Sequence, residues 1–264
     1  MFNSRVFLAE LIGTFAITFV GGGAAIIGSG ISSDRALAIL FPALATGFAL
    51  AVFVYAYGAI SGSHLNPAVT FGMALNGALK WGQAAFYWIA QFVGAILAGF
   101  LLHYTLTTLD ATIEGAATVG FLTNVANAST KTYIAAMIVE AILTFFLVNT
   151  YLHTSVGGKF VNPFAGWAIG LTMAFSILVG GVLTGASLNP ARTFGIALPL
   201  AITSKNYATL ASPFTYVVYL FGPLIGATLA ILVYNFMQGG ADVADEVIEV
   251  EPLPADESEE AVGE

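Results

Sequence analysis

Two stretches of the chain carry the same residue types at the same spacing. Residues 61–72 read SGSHLNPAVTFG and residues 185–195 read GASLNPARTFG. Asn66-Pro67-Ala68 thus recurs as Asn189-Pro190-Ala191, an offset of 123 residues (189 less 66), and Thr-Phe-Gly follows each copy two residues on. Each copy has the grammar of a helix start. A Ser/Gly turn leads to Asn, a good N-cap, and then to Pro at the first helical position, where no N–H is needed. About ten mostly apolar residues follow, too few to cross a bilayer. A helix N-terminus carries about half a positive charge. Two such ends facing one lumen would repel cations, hydronium included, and accept a neutral solute with an oxygen lone pair. Asn66 and Asn189 are each expected to point an amide donor into that lumen. A water bonded to both turns its own hydrogens outward, which interrupts a proton wire. Pro67 and Pro190 fix the turns, and Ala68 and Ala191 are small enough to let the two ends touch.

Three charged residues fall in the same apolar surroundings. Glu10-x-x-x-Thr14-Phe15 recurs as Glu140-x-x-x-Thr144-Phe145. A carboxylate there is costly and by default functional. It relays protons, which would suit a transporter, or it accepts hydrogen bonds from a non-helical loop leading into a short helix. Occurrence as a matched pair favours the loop-supporting role for Glu10 and Glu140. Arg192 lies three residues after Asn189 and has Val69 as its counterpart. A lone guanidinium in apolar sequence costs several kcal/mol unless it faces water, so Arg192 is expected to line the lumen as a cation barrier. His64 is either a pore-mouth residue or a packed loop residue. His103 and His153 fall at span ends, and three isolated histidines have no metal-ligand spacing. The Tyr and Phe residues read as lipid-belt and packing residues. No nucleophile–base pair, phosphate loop or ligand cluster is present, so neither enzyme activity, nor a cofactor, nor a metal is expected.

The elements that must position these residues are membrane spans. The chain has 264 residues, 58% hydrophobic and 8% charged, with mean hydropathy +0.89; a soluble domain carries about 25% charged residues. The 29 glycines suit close helix approach in lipid, and the absence of Cys excludes disulfides and thiol chemistry. Of the fifteen acidic residues behind the net charge of −8, all but Glu10, Asp34, Asp110, Glu114 and Glu140 lie between Asp242 and Glu264. The acidity belongs to a tail, and nothing points to nucleic acid. Full spans are expected at 6–27, 36–58, 82–107, 132–154, 163–183 and 211–237, and short helices at 61–78 and 185–201. Three spans and one half-span, twice, require the second half to be inverted, because an odd number of crossings precedes it. An inverted repeat places function near the bilayer midplane. The half-helices then enter from opposite faces, and non-helical backbone at that depth must be buried in protein or line a cavity. A channel unit is expected over residues 1–237, with repeats at about 5–108 and 131–237. Residues 238–264 are expected to be an acidic, disordered tail.

The doubled motif with its SGSHLNPAVT and GASLNPARTFG contexts, and the Glu-x-x-x-Thr-Phe pair, resemble the aquaporin and glycerol-facilitator family, the major intrinsic proteins. The resemblance covers roughly residues 5–237. It implies an all-α polytopic membrane protein: six transmembrane helices plus two half-helices in an inverted repeat. It also implies a homotetramer with one pore per subunit and both termini cytoplasmic; the plasma membrane is the expected location. The positions that set selectivity in the family match Thr46, Ile177, Ala186 and Arg192. Water-selective members usually carry an aromatic, a His, a small residue and an Arg there. Here Thr46 replaces the aromatic and Ile177 the His, so a wider, less polar opening is expected. Thr193 and Ala197 resemble water channels rather than glycerol facilitators, and Tyr219-Leu220 before Phe221-Gly222-Pro223 is a mixed state. The expected function is a passive channel for water that also passes small neutral solutes such as glycerol, urea, ammonia or hydrogen peroxide. A strictly water-selective channel and a glycerol facilitator are the alternatives within the family. Outside it stand a transporter driven by protons through Glu10 or Glu140, and an interaction protein acting through the acidic tail. Three basic residues on each side leave orientation open by charge.

Overall fold

The structure, a computed structural model, describes residues 3–31, 35–108, 129–155, 162–203 and 213–238. The acidic segment from 239 onward and the connections at 109–128, 156–161 and 204–212 lie outside the described residues. The described chain forms eight helices: α1 (Ser4–Ile31), α2 (Arg35–Ser61), α3 (Pro67–Leu75), α4 (Trp81–Thr108), α5 (Thr130–Ser155), α6 (Ala165–Gly180), α7 (Pro190–Thr203) and α8 (Pro213–Met237). Five of them, α1, α2, α4, α5 and α8, are long and apolar enough to cross a membrane. The sixth, α6, is shorter than the expected 163–183. Its 16 residues rise about 24 Å, against a hydrocarbon core of about 30 Å. Gly180-Gly181 ends the helix, and the chain continues as turns in which Thr184 N–H donates to Gly180 O at 2.8 Å. The short helices α3 and α7 have 9 and 14 residues. α3 stops before the expected residue 78, because Gly77 takes a left-handed φ of 80° that no helix continues through.

The two halves pack by the same plan. α1 lies against α2 and α4, and α5 against α6 and α8; the middle spans α2 and α6 pack on each other. Each short helix packs on the last span of the other half, α3 on α8 and α7 on α4, so the repeats interlock. Bare backbone makes this possible. A Cβ on Gly94 would lie 2.2 Å from Leu11 O, and one on Gly226 would lie 2.2 Å from Ala141 O. These glycines bring α4 onto α1 and α8 onto α5 at backbone contact, as helices do in lipid, where no hydrophobic force drives them together. Buried Leu65, Val69, Leu147, Ile169 and Leu188 form the core around the short helices. Leu8, Val52, Ile89, Ile138 and Leu171 are exposed on the outside of the bundle, where hydrocarbon rather than water is their solvent.

Candidate transmembrane pore

Between α2 and α3, and again between α6 and α7, the backbone leaves the helix for a strained loop. Gly62 (φ 80°), Ser63 (51°) and Leu65 (51°) are left-handed, and so are their counterparts Gly185 (82°), Ala186 (47°) and Leu188 (56°). A residue with a Cβ pays about 1–3 kcal/mol for such a backbone. Buried carboxylates hold each loop. Glu10 accepts hydrogen bonds from Ser61 Oγ at 2.6 Å, His64 N–H at 2.9 Å, Leu65 N–H at 2.7 Å and Gln91 Nε2 at 2.8 Å. Glu140 accepts from Thr184 Oγ1 at 2.7 Å, Ser187 N–H at 3.1 Å and Leu188 N–H at 2.8 Å. Ser61 Oγ and Thr184 Oγ1 accept in turn from the N–H groups of Ser63 and Ala186. A planar trans peptide points its C=O opposite to its N–H. The carbonyls of Ser63 and His64 therefore face away from Glu10, and Tyr151 Oη reaches Ser63 O at 2.8 Å from that other side.

At the end of each loop Asn caps the short helix. Asn66 Oδ1 accepts from Ala68 N–H at 2.8 Å, and Asn189 Oδ1 from Arg192 N–H at 3.1 Å. The amide nitrogens cross between the halves. Asn66 Nδ2 donates to Leu188 O at 2.8 Å, and Asn189 Nδ2 donates to Leu65 O at 2.9 Å. This reciprocal tie fastens the two helix tips to each other, with Ala68 and Ala191 fully buried beneath. The sequence predicts that each Asn caps its helix and points an amide donor into the lumen; it does not foretell the tie between the halves. An amide carries two N–H groups, so each Asn spends one on the tie and keeps one.

A narrow cavity of about 10 Å³ lies at these tips, lined by Asn66, Asn189, Thr46, His64, Tyr151 and Met173 among others. That is room for about one water. His64 is shared with a wider vestibule of about 220 Å³, which opens where α2 ends and α4 begins, beside Ser61, Tyr87 and Ser155. His64 thus borders both spaces, with its Nδ1 at 3.2 Å from Thr70 Oγ1 and its ring packed on Tyr87. Thr46 is buried and joins the cavity to Arg192, since both side chains converge on Gly21 of α1. Arg192 is 97% buried (3% exposed), and its Nε has no protein hydrogen-bond partner among the described residues. Ile177 and Ala186 are buried in the same core cluster, where Ala186 packs against Gly180; they do not line the narrow cavity.

The tyrosines do more than pack. Tyr87 Oη donates to Ser61 O at 2.7 Å and Tyr219 Oη to Thr184 O at 3.0 Å, so each last span braces the loop of its own half. Gln91 adds a bond to Thr70 Oγ1 at 2.8 Å, and Trp88 Nε1 reaches Pro67 O at 3.1 Å. The signal was legible in principle: Tyr87 and Gly94 stand at the same offset from Tyr219 and Gly226.

This geometry has known counterparts. A family model described as Major intrinsic protein matches residues 1–234. The chain is 38% identical over 245 residues to aquaporin TIP2-1 of Arabidopsis thaliana, covering 90% of this chain and 89% of that protein. It is 37% identical over 249 residues to aquaporin AqpM of Methanothermobacter marburgensis, covering 87% and 96%. Among solved structures, an aquaglyceroporin from Plasmodium falciparum superposes with a TM-score of 0.67 at 23% identity, covering 90% of this chain and 97% of that one.

Proposed function

The chain belongs to the major intrinsic protein family, and we propose from that premise that its pore passes small neutral solutes such as glycerol as well as water. It is a passive channel for water and small solutes in a multi-pass membrane protein, and not an enzyme. The observation that carries the wider selectivity is Thr46. Its short side chain occupies the cavity wall beside Arg192 where a strict water filter holds an aromatic ring. Thr46, Ile177, Ala186 and Arg192 are the filter in this reading, and the two Asn-Pro-Ala tips are the ion barrier.

The size of the barrier follows from the helix ends. Two half-charges about 5 Å from a monovalent cation, at an effective dielectric of about 20, oppose it by ~3 kcal/mol. That lowers its occupancy roughly a hundredfold, and the Arg192 charge adds to it. A neutral solute meets no such cost. It takes the free amide N–H of Asn66 and Asn189 and offers oxygen to them. The carboxylates are not proton relays in this reading, because their oxygens are occupied in holding the loops.

The channel unit is residues 1–237, built of repeats at about 5–108 and 131–237. An even number of crossings returns the chain to its starting side; that this side is the cytoplasm, at the cell membrane, rests on the family resemblance. Four copies, each with its own pore, make the assembly that the family resemblance implies. Proteoliposomes under an inward glycerol gradient test the selectivity. Re-swelling faster than protein-free vesicles is expected, and re-swelling no faster removes glycerol from the list.

A further inference from the structure

α1 carries three consecutive glycines, Gly21, Gly22 and Gly23, and their surroundings differ. A Cβ on Gly22 would meet the apolar Leu102 and Ile196, and one on Gly23 would meet only Leu102 Cδ1 at 3.6 Å, an ordinary contact. A Cβ on Gly21 would lie 2.5 Å from Thr46 Oγ1 and 3.5 Å from both Nε and Nη2 of Arg192. The first distance is one that real atoms do not adopt. Gly21 is therefore the bare floor on which the Thr46 hydroxyl and the Arg192 guanidinium rest.

Those two groups share a feature that matters where they meet. Thr46 Oγ1 and Arg192 Nε are both buried, and neither has a hydrogen-bond partner among the described residues. Thr46 is fully buried and Arg192 nearly so. Buried polar atoms are paired in the great majority of cases, and each orphan is a cost that a passing hydrogen-bonding molecule removes. Two orphans meet over one glycine. The hydroxyl donates and accepts, while the Nε–H only donates. Together they suit a neutral solute with two adjacent oxygens, a vicinal diol.

We propose that Gly21 is a further specificity-determining residue of the pore: by lacking a Cβ it lets Thr46 and Arg192 present their free groups side by side to a small polyol. This rests on the reading of Thr46 and Arg192 as filter residues. Gly21→Ala forces the Thr46 hydroxyl from its place and narrows the gap, while a single water still passes.

The test uses the full-length chain in liposomes and measures glycerol and water permeability on the same vesicles. Gly21→Ala is expected to lower the glycerol-to-water ratio by roughly three- to tenfold, the range that one hydrogen bond spans, and Gly23→Ala to leave it unchanged. In a Thr46→Ala background the clashing oxygen is gone, so adding Gly21→Ala is expected to have a smaller effect on the ratio. A purely structural role would lower both permeabilities in proportion, and that result overturns the inference. So does an equal effect with and without the Thr46 hydroxyl. Thr46→Phe separates the two readings. If it leaves the ratio intact, or if the native chain passes no glycerol, the filter reading falls and the role of Gly21 with it. If Thr46→Phe lowers the ratio and Gly21→Ala does not, only the role of Gly21 falls. Should Gly21→Ala fail to fold, the Gly21→Ala/Thr46→Ala pair must fold and pass glycerol. A pair that also fails to fold shows that Gly21 is needed for something other than Thr46, and overturns the inference.

Discussion

Glu10→Gln keeps the side chain's size and removes its charge and one acceptor. In the native protein two oxygens take four donors. An amide NH2 in place of Oε2 faces Leu65 N–H and Gln91 Nε2. Gln91 can turn its own amide to answer, because its Oε1 is buried and unpartnered. The Leu65 N–H has no such escape. In the other orientation Ser61 Oγ–H rotates away and His64 N–H is stranded. Either way one buried N–H is orphaned, at about 1–3 kcal/mol, and the three remaining bonds fall from charged to neutral strength, about 1 kcal/mol each. Relief from burying a charge offsets part of this, leaving ~2–4 kcal/mol. The same loop stores ~2–6 kcal/mol of left-handed backbone at Ser63 and Leu65. The weakened anchor therefore opposes that strain with less margin, and the α3 tip loosens. At about 2–4 °C per kcal/mol, the melting temperature is expected to fall by ~5–15 °C. Thermal unfolding in detergent and water permeability of liposomes, normalised to folded protein, are the assays. Glu140→Gln should act in the same direction. An unchanged melting temperature with unchanged permeability would refute the anchoring role. Unchanged stability, together with uphill solute accumulation under a pH gradient in the native chain, would restore the proton relay.

Other perturbations test neighbouring parts. Tyr87→Phe removes one bond to Ser61 O; thermal unfolding is expected to show a loss of about 1 kcal/mol, and no change would mean the brace is idle. Gly94→Val sets a side chain where even a Cβ lies 2.2 Å from Leu11 O, so size-exclusion chromatography should find no folded protein, whereas Gly82→Ala, with open space around it, should fold. The chain has no Cys, so mercurials should not block it through a thiol, and Thr46→Cys, on the cavity wall, should confer block that a free thiol reverses. Thiol-reversible block of the native chain would contradict this. Arg192→Val, the residue that the first copy carries at this place, should keep water flux and raise cation leak, read as dissipation of a pH gradient.

Much of this arrangement was written in the residue pattern. The paired Asn-Pro-Ala stretches predicted two short helices, and the matched Glu10 and Glu140 predicted loop anchors, because a buried charge repeated in both halves has few other uses. Other features depend on partners that sequence does not pair. Hydropathy continues through Val182-Leu183, so the sequence predicts three more residues of α6 at that end, while the N–H groups of Leu183, Thr184 and Gly185 all close back on Gly180 O as a turn. The tyrosine braces look like ordinary aromatic residues until Ser61 O and Thr184 O are beside them. The cross-tie of the asparagines was missed because one side chain both caps its own helix and donates to the other half. Gly21 is one of three adjacent glycines, and only the positions of Thr46 and Arg192 set it apart.

The central claim is that one passage runs between two opposed helix N-termini, which stop cations and let water through. The direct measurement follows osmotic shrinkage and proton flux together in the same proteoliposomes, with a pH-sensitive dye inside. Shrinkage well above that of protein-free vesicles, with proton flux no higher than theirs, is the predicted result. Proton flux that rises in step with water flux, or no gain in water flux at all, would contradict it.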